Sequence, residues 1–237
     1  MRFLDLTLPT LEQNLALDEA LLLQAEFRQA GAVLRCWEVP QPCIVLGMNG
    51  IIAREVRFDL CQRDGVPVAR RCSGGGTVVL APGCLVFSLI LPTEASGCLD
   101  VRSSLKSILN RVCSGLLAYG VPTQLAGTSD LVYHDRKVSG NAQRRLRTYF
   151  LHHGTLLYDF DVELAERYLP LPSRMPEYRR QRRHRDFLTN LPLRRDQLLA
   201  CLRQAFEAEI TESDWPGALV HQLVRDKYAR WDWLTRR

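Results

Sequence analysis

The chain has 237 residues, 46% of them apolar and 24% charged, with a formal net charge of +5 at pH 7. That length supports one sizeable core without disulfides or metals, and so mild a positive charge does not mark a nucleic-acid binder. Met1-Arg2-Phe3-Leu4-Asp5 lacks the basic-then-apolar pattern of a signal peptide, and no apolar run reaches the roughly 18 residues of a membrane span, so a cytoplasmic protein without membrane contact is expected.

Thr10-Leu11-Glu12-Gln13 is a capping-box pattern, and apolar residues recur at helical spacing from Leu11 to Phe27. That predicts a first helix ending near Gly31. Val33 to Trp37 and Cys43 to Leu46 read as strands separated by a turn around Pro40-Gln41-Pro42. A short helix is expected from Glu55 to Arg63, stopped by Gly65, then a strand from Val66 to Ala69. Thr77 to Leu80 and Leu85 to Leu91 look like a hairpin around Ala81-Pro82-Gly83. Asp100 caps a long amphipathic helix reaching Tyr119 and stopped by Gly120. Strands return at Leu131 to His134, Lys137 to Arg144 and Phe150 to Tyr158. Beyond Asp161 the chain is mostly helical, apart from an arginine-rich, proline-flanked connection between Pro170 and Pro192. This order predicts an α+β or mixed α/β fold and not a doubly wound parallel sheet. The expected division is a catalytic part over 1–192 and a C-terminal helical part of the same domain over 193–237.

The eight cysteines show no C-x-x-C pair and no His at finger spacing, so small apolar core residues are the expectation and no metal cage is visible. Cys72 and Cys84 flank the most informative stretch, Arg70-Arg71-Cys72-Ser73-Gly74-Gly75-Gly76-Thr77. Consecutive glycines cost backbone entropy, and they allow successive N–H groups to converge on an anion. Two adjacent arginines add charge and bidentate donors for phosphate or carboxylate. A glycine-rich hairpin turn with surface arginines is the plain alternative. Neither the P-loop spacing nor G-x-G-x-x-G is present.

A second cluster runs Ser129-Asp130-Leu131, Lys137-Val138-Ser139-Gly140-Asn141-Ala142-Gln143-Arg144 and His152-His153-Gly154-Thr155. Strand alternation puts Lys137, Ser139 and Asn141 on one face. A solvated surface position is the default for any single lysine, but the small Ser139 and Gly140 leave room for something bulky beside it. In a pocket, Lys137 would offset anionic oxygens of a phosphate or a developing oxyanion. Asp130 either accepts from Lys137 or holds Mg²⁺ with phosphate, and spacing does not choose. His152 and His153 are expected to be structural hydrogen-bonders on a buried strand.

The set R-R-x-S-G-G-G-x-V, S-D-L, R-K-V-S-G-x-A and H-H-G-T-L-L, in this order and spacing, resembles the lipoate–protein ligase family. Asn14-Leu15-Ala16-Leu17-Asp18-Glu19 and Asn190-Leu191 also fit. The resemblance implies a largely antiparallel mixed sheet flanked by helices, as in biotin ligases and class II synthetase cores. It further implies that lipoate, or octanoate, is activated by ATP with Mg²⁺ to an acyl-adenylate and then transferred to a lysine of an acceptor lipoyl domain. Carried over by position, Arg71, Gly76, Thr77, Val78, Val79 and Lys137 would contact the nucleotide. Lys137 is the catalytic candidate. Arg70, Ser73, Gly74, Gly75, Asp130, Ser139 and Gly140 would form the acyl pocket.

Three departures stand out. Leu80-Ala81 replace the family's His-Asp, Met48-Asn49 occupy the region of its usual Gln, and the chain stops soon after Trp231-Asp232-Trp233, where larger relatives continue into an accessory domain. A separate accessory subunit is therefore a candidate partner. The alternatives are an ATP-independent octanoyl or lipoyl transferase, whose nucleophile would be a cysteine near the lysine, and a non-catalytic binder of lipoyl domains or acyl-adenylate. No cysteine lies between Leu125 and Arg147 or between His152 and Ala200. A biotin ligase would alternate Gly and Arg where this chain has Ser-Gly-Gly-Gly. Six arginines between Arg174 and Arg185 read as part lid and part docking surface for an acidic carrier domain.

Overall fold

The computed structural model describes residues 1–28, 30–93 and 100–236. In chain order, β1 (Arg2–Asp5) leads to α1 (Leu11–Arg28), β2 (Val33–Trp37) and β3 (Cys43–Leu46). Next come α2 (Ile52–Glu55), α3 (Phe58–Arg63), β4 (Val68–Arg70), β5 (Val78–Leu80), β6 (Cys84–Pro92) and α4 (Val101–Ala118). Four strands follow: β7 (Gln124–Ala126), β8 (Asp130–Tyr133), β9 (Arg136–Arg145) and β10 (Tyr149–Leu157). The remainder holds α5 (Glu163–Tyr168), α6 (His184–Phe187), α7 (Arg195–Ala205), β11 (Ile210–Thr211), α8 (Gly217–Leu223) and α9 (Trp231–Thr235). No helix among the described residues is long and apolar enough to cross a membrane.

Eight strands form the main sheet in the order β11-β1-β2-β6-β10-β9-β8-β7. Only the β11–β1 and β1–β2 pairs are parallel. β6 is central and buried on both faces, which is why it reads as a nearly unbroken apolar run. Alternate residues serve different layers: Val86 and Ile90 join the core under α1, while Leu85, Phe87 and Leu89 join the core under α4 and α7. A small second sheet, β4-β3-β5, covers part of the α1 side. Residues 193–236 share these layers, since β11 pairs with β1 and α8 packs on α1.

Local signals placed most elements. The Thr10–Gln13 capping box forms, with Gln13 N–H donating to Thr10 Oγ1 at 3.2 Å and Thr10 N–H to Gln13 Oε1 at 3.1 Å. Asp100 accepts from the N–H groups of Arg102 and Ser103. Two expectations need correction, one about pairing and one about a helix. The runs 77–80 and 85–91 do not form a hairpin: β5 pairs with β3 in the small sheet, whereas β6 enters the main sheet between β2 and β10. The turn at Gly83 (φ +82°) packs against the backbone of Asp159 and steers the chain from one sheet to the other. The expected helix from 55 to 63 is two short helices, broken where Arg57 N–H donates to Tyr168 O beside the buried Val56.

α1 buries charge as well as apolar surface. Arg35 of β2 is fully buried; it donates to Asp18 Oδ1 at 2.6 Å, and its other N–H groups reach Leu6 O, Asn14 O and Asn14 Oδ1. Burial opposes charge on Asp18, but Arg35 and His153 outweigh it and hold the carboxyl below its usual range. His152 on β10 is also fully buried, near Gln143 and Asn141, and burial pushes its imidazole down to about 3.

The unfolded chain therefore takes up the His152 proton first. Stability is full above roughly pH 6.5 and drains as pH falls towards the folded value, by up to about 1.4 kcal/mol per pH unit. His184, also lowered by burial, acts in the same direction. Urea unfolding midpoints are expected to fall between pH 7 and pH 4.5, and His152→Gln to flatten that slope. An unchanged slope in the variant would show that His152 is not the group responsible.

Candidate active site

The glycine-rich loop joins β4 to β5 and is shaped from behind by Arg71. Its buried guanidinium donates to Ser73 Oγ, Val45 O, Gly74 O and Gly76 O. Desolvation pushes its pKa down to about 10, which leaves it charged at neutral pH. Ser73 Oγ also meets His153 Nε2 from β10, and His153 Nδ1 lies 3.6 Å from Asp18 Oδ2, which accepts from Ser88 Oγ. A continuous buried polar chain thus runs from Arg35 to the loop. Gly47 lies against the loop so closely that a Cβ there would sit 1.9 Å from Gly75 O.

Lys137 is presented by the β8–β9 hairpin. Leu131 pairs with Ser139 and Val132 with Lys137, so β9 carries one extra residue, Val138, in a bulge that re-aims the lysine. Its Nζ is 2.8 Å from Asp130 Oδ1. The aliphatic stem folds over Gly140, where a Cβ would stand 2.9 Å from Nζ. Its backbone is pinned from the other side by Thr189 N–H, which donates to Lys137 O at 2.9 Å.

Loop and lysine meet across two joined cavities. The inner slot, of ≈ 150 Å³, has apolar walls from Leu15, Trp37, Val45, Leu80 and Val86, with Arg71 and His153 beside them. Among the described residues the indole N–H of Trp37 has no partner. The outer cleft, of ≈ 740 Å³, is edged by Arg54, Glu55, Arg174, Arg179 and His184. Gly75, Gly76, Thr77, Val78, Asp130, Lys137 and Gly140 border both. Val79 and Ser139 border the outer cleft only.

Four residues of this group lie off the outer cleft. Arg71 borders the inner slot and not the outer cleft, and its donors are directed into the loop itself. Arg70 borders neither cavity. Its guanidinium points away, donating to Gly47 O, Met48 O and Gly50 O on one side and to Leu234 O and Arg236 O on the other. Ser73 and Gly74 also border neither and support the wall from behind. Two further residues carried no usable sequence signal, Trp37 and Glu55 (which accepts from Thr77 Oγ1 at 2.7 Å); His153, expected to be structural, lines the slot, and Arg179, one of the six arginines expected in a lid, edges the cleft.

Cys72 and Cys84 are buried, and among the described residues no cysteine borders either cavity. Burial pushes the Cys72 thiol up to about 12. Cys98 lies outside the described residues.

The fold is that of solved lipoate ligases. A putative lipoate protein ligase from T. acidophilum with bound lipoic acid superposes with a TM-score of 0.83 at 20% identity, covering 99% of this chain and 98% of its own. Lipoate-protein ligase A bound with ATP does so at 0.82 and 23%, with the same coverage. Residues 10–208 match the family described as Lipoyl protein ligase A/B catalytic domain, and the chain belongs to it. Lipoate-protein ligase LplJ of Bacillus subtilis is 30% identical over 82% of this chain, which spans 62% of that ligase's length. Octanoyltransferase LipM of Carboxydothermus hydrogenoformans is 30% identical over 99% of this chain and 98% of its own length.

The contact at Gly47 is testable without any assay of activity. Gly47→Ala should force the loop aside and cost roughly 1–3 kcal/mol, the usual range for overpacking. Gly74→Ala, whose added Cβ meets nothing within 4 Å, should cost less. Equal melting temperatures for the two variants would refute the packing described here.

Proposed function

We propose that this domain is a lipoate–protein ligase: it activates the carboxylate of lipoate or octanoate with ATP and passes the acyl group to a lysine of a lipoyl domain. The observation that carries this reading is the position of Lys137, at the junction of an apolar slot and a polar cleft, with the glycine loop bordering both. A slot walled by Leu15, Val45 and Val86 suits an aliphatic tail, and a cleft edged by arginines suits a triphosphate.

In the first step a carboxylate oxygen attacks the α-phosphorus and pyrophosphate leaves with the electrons of the broken P–O bond. In the second, the acceptor amine attacks the acyl carbon, loses a proton, and AMP departs. Negative charge gathers on phosphoryl oxygens in the first step and on the carbonyl oxygen in the second. The Lys137 ammonium, held by Asp130, is placed for both. Among the described residues no three His, Cys, Asp or Glu side chains could cage a metal. Mg²⁺ would arrive with the nucleotide and be held mainly by phosphate oxygens and water, because Asp130 already accepts from Lys137 and Tyr178, and Glu55 from Ile51 N–H and Thr77 Oγ1.

The partner in this reading is an acidic lipoyl domain. Arg174, Arg180, Arg183 and Arg185 are exposed beside the cleft and form a basic rim. A T. acidophilum structure described as a bi-partite lipoate protein ligase and its E2 lipoyl domain shares this fold, with a TM-score of 0.82. By analogy, a separate accessory subunit would assist adenylation here. The second reading is an ATP-independent octanoyl transferase, favoured by the end-to-end match to LipM. Against it stands the lack of a thiol at either cavity among the described residues.

ATP–pyrophosphate exchange dependent on lipoate or octanoate, run beside acyl transfer between carrier proteins, separates the two. The ligase reading expects exchange, and expects Lys137→Ala to lower it by about 3–4 kcal/mol of transition-state stabilisation, some hundredfold or more, with melting unchanged. Carrier-to-carrier transfer without exchange would replace it with the transferase. Transfer to the acceptor should weaken as salt rises, and Arg183→Glu with Arg185→Glu should raise the acceptor KM severalfold while exchange stays constant. Salt-independent kinetics would remove the rim from the docking surface.

A further inference from the structure

The arginine-rich segment is fastened to the hairpin that carries Lys137. Arg182 Nη1 donates to Asp135 O at 2.9 Å, and Arg136 Nη2 donates to Arg185 O at 2.7 Å. Thr189 N–H reaches Lys137 O. One contact in this set touches the ion pair itself: the Tyr178 hydroxyl donates to Asp130 Oδ2 at 2.6 Å, while Asp130 Oδ1 holds Lys137 Nζ at 2.8 Å.

A carboxylate held at one oxygen turns about its Cβ–Cγ bond and carries its partner with it. Held at both, it is fixed in plane and in direction. The Tyr178 ring is itself half-buried, packed on Phe187 with ring centroids 5.3 Å apart. Burial and the neighbouring Asp130 raise the phenol's pKa, so the proton needed for donation is retained. The ion pair is partly exposed, its side chains showing 24% and 15% of their surface, so burial alone does not fix its geometry.

We propose that Tyr178 is a positioning residue: through Asp130 it sets the direction of the Lys137 ammonium and couples the arginine-rich segment to the reacting groups. This rests on the ligase reading for its effect on turnover, but not for the bond itself. Tyr178→Phe keeps the ring and its packing and removes only the donor. The expected result is a fall in kcat for pyrophosphate exchange of about 10-fold, of the order of one hydrogen bond to a charged group. The acyl-acid KM should stay within about 2-fold, since uniform binding is untouched.

The decisive measurement is a double-mutant cycle with Asp130→Asn. If Tyr178 acts through Asp130, adding Tyr178→Phe to Asp130→Asn changes kcat by less than about 2-fold. A Tyr178→Phe enzyme with wild-type kcat, or an equal loss in both backgrounds, overturns the proposal. Should the unmodified protein show no exchange with any acyl acid, the ligase reading has failed. The same cycle is then read from urea unfolding, where a coupling between the two substitutions supports the bond and strict additivity overturns it.

Discussion

A guanidinium shut away from water must find oxygen atoms inside the protein, and at Arg71 those oxygens belong to the loop that faces the cavities. The carbonyls of Gly74 and Gly76 are committed to it, as is the Ser73 hydroxyl. A loop with so little side-chain mass would otherwise have little to hold it in one shape. The restraint continues through His153 to Asp18 and Arg35, so the loop is tied to the first helix and to the middle of the main sheet. Removing one member leaves the others buried without partners, a cost of several kcal/mol in comparable networks.

With that wall fixed, the two cavities divide the chemistry by polarity. Leu80 and Ala81 are both buried, and Leu80 borders the slot. Positive charge comes instead from the opposite rim. Arg179 is buried against Phe187 and borders the outer cleft, and its Nη2 lacks a partner among the described residues. The candidate site therefore takes cations from Lys137 on a strand, from Arg54 on α2 and from arginines on an irregular segment, while Arg71 borders the slot.

What the sequence disclosed follows from the range of the forces involved. Helix ends at Thr10 and Asp100 are set by atoms a few residues apart, and they were legible. The triple glycine and the lysine motif were legible because their compositions are costly without a purpose. Sheet membership was not: β2 and β3 lie close in sequence but enter different sheets, and only the burial demands of the finished layers decide that. Arg70 and Arg71 look equivalent as letters. Arg70 ends a strand, and neighbouring positions there point to opposite faces. One arginine therefore holds the loop while the other ties the Gly47–Gly50 turn to the last helix.

The bulge at Val138 has a consequence for how this site tolerates change. Side chains along β9 keep a two-residue rhythm, and the single surplus residue shifts its phase midway along the strand. Lys137 and the segment from Gly140 to Ala142 border the same slot on either side of that shift. Losing one residue here would move no backbone group far, yet it would turn the ammonium toward the packed layer that now accommodates Val138. The position of the charge is thus encoded in the count of residues along the strand as much as in their kind.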